Sequence, residues 1–380
     1  MRAMQCLFLS VAAMWASVHC QAERLTPERL WDLARIGDAA VSPDGTQLAY
    51  LVTRFDLKKN AGTTSLMLQP LPAGEIRAGG RTSLAFETPL AAPTPKPLLK
   101  DIKGLGSVRW LNHSTGPKLV YIAPSAESDN QDAAIDEDDG GEEEGEDAKK
   151  DKSKPQAWLL DPTGGKPQQL TRVEKGIANL ITSASGDAIA FTVDVKMDDK
   201  ATEIYPDLPK ADARIIDSLL YRHWNEWHDY AYSHVHIAKI DDRGQASEPV
   251  DVMASLKADC PLPPFGGAGQ FAFSPDGSQL ALTLKLVNNP QQSTDSGIYL
   301  VGVEGGALKN ITPGMPGYDM DPVYSRDGRY LAFHSMERGG FESDRNRIMV
   351  YDRGSGNIAE VTQGLDQTTH HATWSLDSKS

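Results

Sequence analysis

The stretch VSPDGTQLAY, residues 41–50, decides the fold, because closely similar phrases return later in the chain. The phrase recurs as FSPDGSQLAL at 273–282 and as YSRDGRYLAF at 324–333. Weaker copies lie at 110–122 and 182–193, and a broken copy lies at 374–378. Proline presets φ, aspartate can bond its own backbone and glycine tolerates positive φ, so the phrase predicts a tight turn between two strands. Each copy therefore predicts a β-hairpin.

Two further strands follow these hairpins. The hairpin at 273–282 is followed by apolar runs at 298–303 and 308–312, and the hairpin at 324–333 is followed by runs at 347–352 and 358–362. A four-stranded unit that recurs at roughly 50 residues is typical of a propeller blade. We therefore predict an all-β fold: an incomplete β-propeller over 36–380, with five four-stranded blades and the start of a sixth.

The chain before the propeller carries two predicted segments. Residues 1–22 have a basic residue, Arg2, followed by an apolar stretch from Cys6 to Val18. This pattern predicts a secretory signal peptide, and hence a periplasmic or secreted protein. A short N-terminal helix is predicted within 23–35, with Thr26 as N-cap and Pro27 at the first helical position.

The net charge of −14 is concentrated in one insert. Between Glu127 and Lys154 there are 13 acidic and 4 basic residues, and bulky apolar side chains are nearly absent. We therefore predict a disordered acidic loop at 125–155, in which the order of the acidic residues does not fit an EF-hand. No basic stripe or second long apolar run occurs, so neither nucleic acid nor a membrane span is expected. Cys260, the one cysteine after the leader, is predicted to be structural.

Several segments of the sequence resemble those of a known protein family. The segment Leu25-Thr26-Pro27-Glu28 is followed by Ile36-Gly37-Asp38 and by the first turn phrase. The segment YRHWNEWHD, residues 221–229, is the more specific part. Together they resemble exported bacterial dipeptidyl-peptidases and acylaminoacyl-peptidases of the prolyl oligopeptidase family, and the resemblance extends from Leu25 to Ser380.

The resemblance implies a division of labour between two domains. In that family the propeller precedes an α/β-hydrolase domain with a Ser-Asp-His triad, and the propeller limits access to short peptides. This sequence contains no Gly-x-Ser-x-Gly elbow, and it ends inside a turn phrase, so we expect a chain without catalytic residues of its own. The expected partners are short peptides and the C-terminal α/β-hydrolase domain of the same protein; no cofactor is expected.

The candidate site lies in an insertion of the third blade, predicted at 196–233. In one interpretation Arg222, Trp224, Glu226 and Trp227 face the substrate, with Glu226 receiving an ammonium group and a tryptophan lining the pocket. In the other interpretation, both tryptophans are core residues and Arg222 pairs with Glu226. The nearby histidines lack the spacing of a zinc site, so no metal is predicted.

Two functions are therefore compatible with the sequence. The first is the propeller of an exported serine exopeptidase, which gates access and helps to bind the peptide amino terminus. The alternative is a non-catalytic, TolB-like periplasmic propeller that binds a protein. The unusual segment at 221–229 favours the first function.

Overall fold

The structure is a computed structural model that describes residues 24–71, 94–125, 154–228 and 230–380. The predicted signal peptide at 1–22 lies outside these residues, as does the acidic insert apart from its ends. The α-helices of the described part are α1 (Pro27–Asp32) and α2 (Ala201–Ile204), and short 3₁₀ helices occur at Ala268–Gln270 and Pro290–Gln292.

The strands form five antiparallel sheets of four strands each, and a small hairpin is inserted into the third sheet. The first sheet contains β1 (Arg35–Val41), β2 (Gln47–Asp56), β3 (Ala61–Pro70) and β4 (Lys96–Ile102). The second contains β5 (Gly106–Leu111), β6 (Lys118–Pro124), β7 (Pro155–Leu160) and β8 (Gln168–Gln169). The third contains β9 (Ala178–Thr182), β10 (Ala188–Lys196), β13 (Ala231–Lys239) and β14 (Val250–Asp251), with β11 (Arg222–His223) and β12 (Glu226–Trp227) as the hairpin.

The last two sheets contain the later copies of the phrase, at 273–282 and 324–333. The fourth contains β15 (Phe271–Phe273), β16 (Gln279–Leu284), β17 (Gly297–Gly302) and β18 (Lys309–Asn310). The fifth contains β19 (Asp319–Tyr324), β20 (Tyr330–Ser335), β21 (Arg347–Asp352) and β22 (Ile358–Glu360). The recurring phrase lies between the first and second strands of its sheet, as predicted.

A buried serine fixes the turn between the first two strands in four of the five sheets, and His113 occupies the same position in the second sheet. In the fourth sheet, Ser274 Oγ donates to Asp276 Oδ1 at 2.6 Å and accepts a hydrogen bond from Gln279 N at 3.0 Å. Asp276 Oδ1 also accepts from Ser278 N at 3.1 Å. These hydrogen bonds, above all the one from Ser274, lower the pKa of Asp276 to about 2. The equivalent pairs are Ser42 with Asp44 and Ser325 with Asp327. In the third sheet Ser183 donates instead to Asp187, four residues later.

Neighbouring sheets meet through their first strands. Strand β1 lies against β5, β5 against β9, and β15 against β19. Trp110 Nε1, in β5, donates to the Ala40 carbonyl oxygen of the preceding sheet at 2.9 Å. Trp374, in the sixth copy of the phrase, makes the same bond to Val323 O at 2.9 Å. Four-stranded sheets that follow one another in this way are propeller blades, which confirms the predicted all-β propeller fold.

The core lies between the sheets. Leu331 and Phe333 of the fifth sheet are fully buried against Ala281 and Ile298 of the fourth. Similar clusters join the second sheet to the third and the third to the fourth. Each large apolar side chain buried in this way contributes about 1.5–3 kcal/mol, so the contacts between blades hold the fold together.

The N-terminal helix α1 is shorter than the segment predicted at 23–35. Thr26 caps it by accepting a hydrogen bond from Arg29 N at 3.3 Å. The helix packs on the first blade through Trp31, whose ring meets Phe55 edge to face with centroids 5.2 Å apart. The Arg35 guanidinium lies 4.5 Å from the Phe55 centroid and 4.9 Å from that of Trp31, which adds a cation–π contact on each ring.

The two longest connections between strands leave from the same edge of the blades. Because the strands are antiparallel, the start of each first strand and the connection between the second and third strands lie at the same edge. The predicted acidic insert, the insertion of the third blade and helix α1 are all attached at this edge. No helix within the described ranges is long and apolar enough to cross a membrane.

Glycine substitutions in two equivalent turns test how closely the blades approach each other. Gly45 and Gly186 both have positive φ, +73° and +77°. A Cβ on Gly45 would meet nothing within 4 Å, whereas a Cβ on Gly186 would lie 1.9 Å from Asn112 O of the preceding blade. We expect Gly45→Ala to destabilise the chain by about 1 kcal/mol through backbone strain alone, and Gly186→Ala to cost about 3 kcal/mol or more. Denaturant unfolding measures both; equal losses would contradict the close approach.

Candidate functional site

The connection between β10 and β13 departs most from a regular blade. These two strands pair over nine residues each, and Lys196 lies opposite Ala231 where the connection leaves and returns. The connection contains α2 and the β11–β12 hairpin, so the segment that carried the family resemblance forms a separate projection from the blade.

The tip of the hairpin points away from the core. His223 lies opposite Glu226, and Trp224 and Asn225 form the turn between them. Trp224 has φ +47° and is 66% exposed. Its ring meets Phe265 edge to face at 5.4 Å, and Phe265 is itself 84% exposed. Trp224 is therefore a surface residue, and the interpretation that placed it in the core is wrong.

Trp227 is held among cationic and aromatic side chains. The Arg214 guanidinium lies 4.5 Å from the Trp227 centroid and that of Arg222 lies 5.8 Å away. The ring of Tyr221 stacks on Trp227 at 5.9 Å. In the described part of the chain no ion pair joins Arg222 to Glu226, so the predicted alternative pairing is not found.

A cavity of about 950 Å³ lies between the insertion and the start of β13. Three of the four predicted site residues line it, namely Arg222, Glu226 and Trp227, whereas Trp224 does not. This volume is within the range of small-ligand sites. The hairpin contributes one part of the lining, and the rest includes charged residues that sequence reasoning did not select.

The first of these residues is Asp198, an ionised carboxylate that is already paired with a cation of the protein. It forms an ion pair with Lys257 and accepts a hydrogen bond from the Tyr232 hydroxyl at 3.2 Å. Burial pushes the pKa of Asp198 upward, but the hydrogen bond and the charge of Lys257 outweigh burial and leave the pKa lowered. His228 Nε2 lies 3.6 Å from the same carboxylate. Asp198 is therefore satisfied by the protein itself.

Asp259 has no such cation. Its Oδ1 accepts a hydrogen bond from Ser233 N at 2.8 Å, and no ion pair to it occurs among the residues that the structure describes. Burial raises the pKa of Asp259, and the charge of Asp194 adds to the rise. The Ser233 hydrogen bond and the charges of His228 and His234 oppose it. A partly desolvated carboxylate that lines a cavity and has no lysine or arginine paired with it among the described residues is suited to bind a cationic ligand.

The histidines of β13 have structural roles. His234 is fully buried, with Nδ1 2.8 Å from Asp251 Oδ2 and Nε2 2.8 Å from Leu256 O. His236 stacks on Phe191, and burial lowers the pKa of His236. Across the described ranges no three His, Cys, Asp or Glu side chains are grouped to hold a metal ion.

Many large apolar side chains in and near the insertion are exposed, and several of them line the cavity. They are partly accessible residues of the insertion, together with one from the segment that precedes β15: Ile204, Tyr205, Leu208, Ile215, Ile216, Leu219, Leu220 and Phe265. Exposed apolar side chains concentrated in one segment are typical of a contact with another macromolecular surface or a ligand.

The comparisons with known proteins agree with the family resemblance. No family model matches the chain. Dipeptidyl-peptidase 5 of Porphyromonas gingivalis is 30% identical over 359 residues, which cover 94% of this chain and 45% of that protein. A probable dipeptidyl-peptidase 5 of Emericella nidulans is 25% identical over 387 residues, covering 97% and 47%. A solved acylaminoacyl peptidase of Pyrococcus horikoshii shares the fold, with a TM-score of 0.55 at 12% identity over 89% of this chain and 41% of its own.

The chain spans less than half the length of these proteins. Its sequence and fold fit the propeller domain of the prolyl oligopeptidase family of proteases, which confirms the predicted family. Within that family, the bacterial and fungal relatives that this chain resembles in sequence are both dipeptidyl-peptidases 5 by name.

The backbone of the hairpin turn can be tested with paired substitutions. At φ +47° an alanine at position 224 would be strained, whereas a glycine would not. We expect Trp224→Gly to be about 1 kcal/mol more stable than Trp224→Ala, as measured by amide exchange of the hairpin. Asn225 does not have positive φ, so the same pair of substitutions there should give the opposite order. An alanine variant at 224 that equals the glycine variant would rule out the strained turn.

Proposed function

We propose that this chain is the propeller domain of an exported serine exopeptidase of the dipeptidyl-peptidase or acylaminoacyl-peptidase type. In this proposal the cavity beside the third-blade insertion receives the amino terminus of a short peptide, and the propeller restricts access for larger substrates. The relatives named dipeptidyl-peptidase 5 support the class of enzyme.

The observation that carries the proposal is the carboxylate of Asp259. A peptide ammonium group would supply the cation that Asp259 lacks, and the partly desolvated position would strengthen the attraction. Glu226, which the sequence suggested for this role, lines the same cavity from the hairpin and is exposed. Glu226 therefore acts as a second, weaker carboxylate, and Trp227 offers an aromatic face to the peptide.

The exposed apolar surface around the cavity supports a second part of the proposal. It would be covered by a C-terminal α/β-hydrolase domain of the same protein, which would bring a catalytic serine to the peptide carbonyl. This chain would then contribute sieving and amino-terminus recognition, and the hydrolase domain would form and resolve the acyl-enzyme.

Substitution of Asp259 in the intact protein tests the amine site. We expect Asp259→Asn to raise KM about tenfold or more for substrates with a free amino group, and to leave kcat and N-acetylated substrates nearly unchanged. Because ammonium binding needs the ionised carboxylate, the affinity of the unmodified protein should rise with pH through the raised pKa of Asp259.

Two controls make this test specific. Asp194→Asn removes an exposed carboxylate from the same cavity and should change KM little, whereas Glu226→Gln should raise KM by less than Asp259→Asn. Unchanged kinetics in both Asp259→Asn and Glu226→Gln would refute amine binding here. The mass of the native protein, detected in its source cells with an antibody against this chain, tests which class of protein it is. A band well above 41.3 kDa supports the peptidase, and a band at that mass favours the TolB-like binding propeller.

A further inference from the structure

A second unusual carboxyl group lies in the contact between the fourth and fifth blades. Asp319 is the first residue of β19 and is completely inaccessible to solvent. Neither of its carboxyl oxygens has a hydrogen-bond partner of normal geometry among the described residues. Its backbone is firmly placed, because Asp319 pairs with Ser335 of β20 and its carbonyl oxygen accepts from Ser296 Oγ at 2.8 Å.

The surroundings of this carboxyl group are hydroxyl-rich. The side chains of Ser335 and Thr312 lie close enough to influence its ionisation. Thr283 follows Ala281 by two residues in β16, and Ala281 packs on the fifth blade, so Thr283 faces the same interface. The Thr283 hydroxyl is also buried without a partner within the described residues. The interface therefore contains hydroxyl oxygens that could accept a hydrogen bond from a protonated carboxyl group.

The charged groups near Asp319 do not neutralise it. The charge of Arg347 in β21 acts on Asp319, but its Nη2 lies 3.3 Å from Ser335 Oγ, and its Nη1 faces Glu337 at 3.5 Å and Glu360 at 3.8 Å. Asp295, in the connection before β17, adds a negative charge.

The remaining titratable neighbour faces elsewhere. His334 is adjacent to Ser335 in β20, and its Nδ1 lies 3.6 Å from Asp321 on the opposite side of the strand. His334 therefore does not supply the missing cation either.

An ionised carboxylate in this position would be expensive, because burial removes water without supplying a full set of hydrogen bonds. Burial raises the pKa of Asp319 to about 7, against the opposing influence of Ser335, Thr312 and Arg347. The folded chain therefore takes up a proton that the unfolded chain, at mildly acidic pH, does not hold.

We propose that Asp319 is a proton-binding group that makes the contact between the fourth and fifth blades sensitive to pH near neutrality. When protonated, the carboxyl group is neutral and can donate to a neighbouring hydroxyl. When ionised, it places an unpaired charge in the interface and weakens the packing of the two blades. The proposal does not depend on the proposed peptidase function.

The direction of the pH effect follows from proton linkage. A carboxyl group whose pKa is higher in the folded state stabilises the fold fully at low pH, and this contribution is lost as pH rises toward the folded-state pKa. From about pH 5 to about pH 8, the folding equilibrium constant should fall on the order of 100-fold through this one group.

Substitution of Asp319 by asparagine tests this directly. Asp319→Asn removes the titrating group and keeps the shape of the side chain. The ratio of the folding equilibrium constant of the variant to that of the unmodified chain should therefore rise on the order of 100-fold between about pH 5 and about pH 8. Asp276→Asn is the matched control: Asp276 has its pKa lowered to about 2, so the effect of this substitution should be the same at both pH values. A stability difference for Asp319→Asn that does not vary with pH overturns the proposal.

A second measurement needs no variant and covers the case in which Asp319→Asn fails to fold. Carbon-13 NMR of the folded, unmodified chain follows the carboxyl resonance of Asp319 during a pH titration. A midpoint near neutrality supports the proposal, and a midpoint below about pH 5 overturns it.

Discussion

The structure depends on a serine hydroxyl that is hydrogen-bonded twice. In the fourth blade, Ser274 donates to Asp276 and accepts from Gln279 N, which closes the turn between the first two strands. Because Ser274 is fully buried, it has no alternative partner in water. A shift of one residue in strand register would leave this buried hydroxyl without hydrogen-bond partners and would turn the apolar side chains outward. The turn therefore fixes the register of the blade. The serine recurs at this position in four of the five sheets, and His113 replaces it in the second.

The fold was predictable because the turn chemistry is local. Proline, aspartate and glycine within one short phrase encode a turn without reference to the rest of the chain, and the phrase recurs. The contacts between blades were not predictable in the same way. The bond from Trp110 Nε1 to Ala40 O joins residues far apart in sequence, and nothing in either local segment indicates it. The sequence shows tryptophans at 110 and 374, but it does not indicate that both donate a hydrogen bond to the preceding blade.

The candidate site was predictable only in part. The segment 222–227 was selected because a cluster of arginine, tryptophan and glutamate is unusual, and Arg222, Glu226 and Trp227 line the cavity. The orientation of Trp224 was not encoded locally, since it depends on a turn residue with positive φ and on the distant Phe265. Asp259 was missed because its chemistry results from desolvation and from a hydrogen bond to Ser233, and both arise only after folding.

The way in which the third-blade insertion is attached has a consequence for how such proteins diversify. The insertion leaves the sheet at Lys196 and returns at Ala231, and these residues are directly paired, so their Cα atoms are about 5 Å apart. Any segment whose ends can approach each other this closely could replace the insertion without disturbing the ladder of β10 and β13. The entropy of closing a loop rises only slowly with its length, so longer and shorter replacements would be tolerated alike. The blade therefore provides two fixed attachment points, and insertions of different lengths could replace one another there while the four-stranded sheet stays the same.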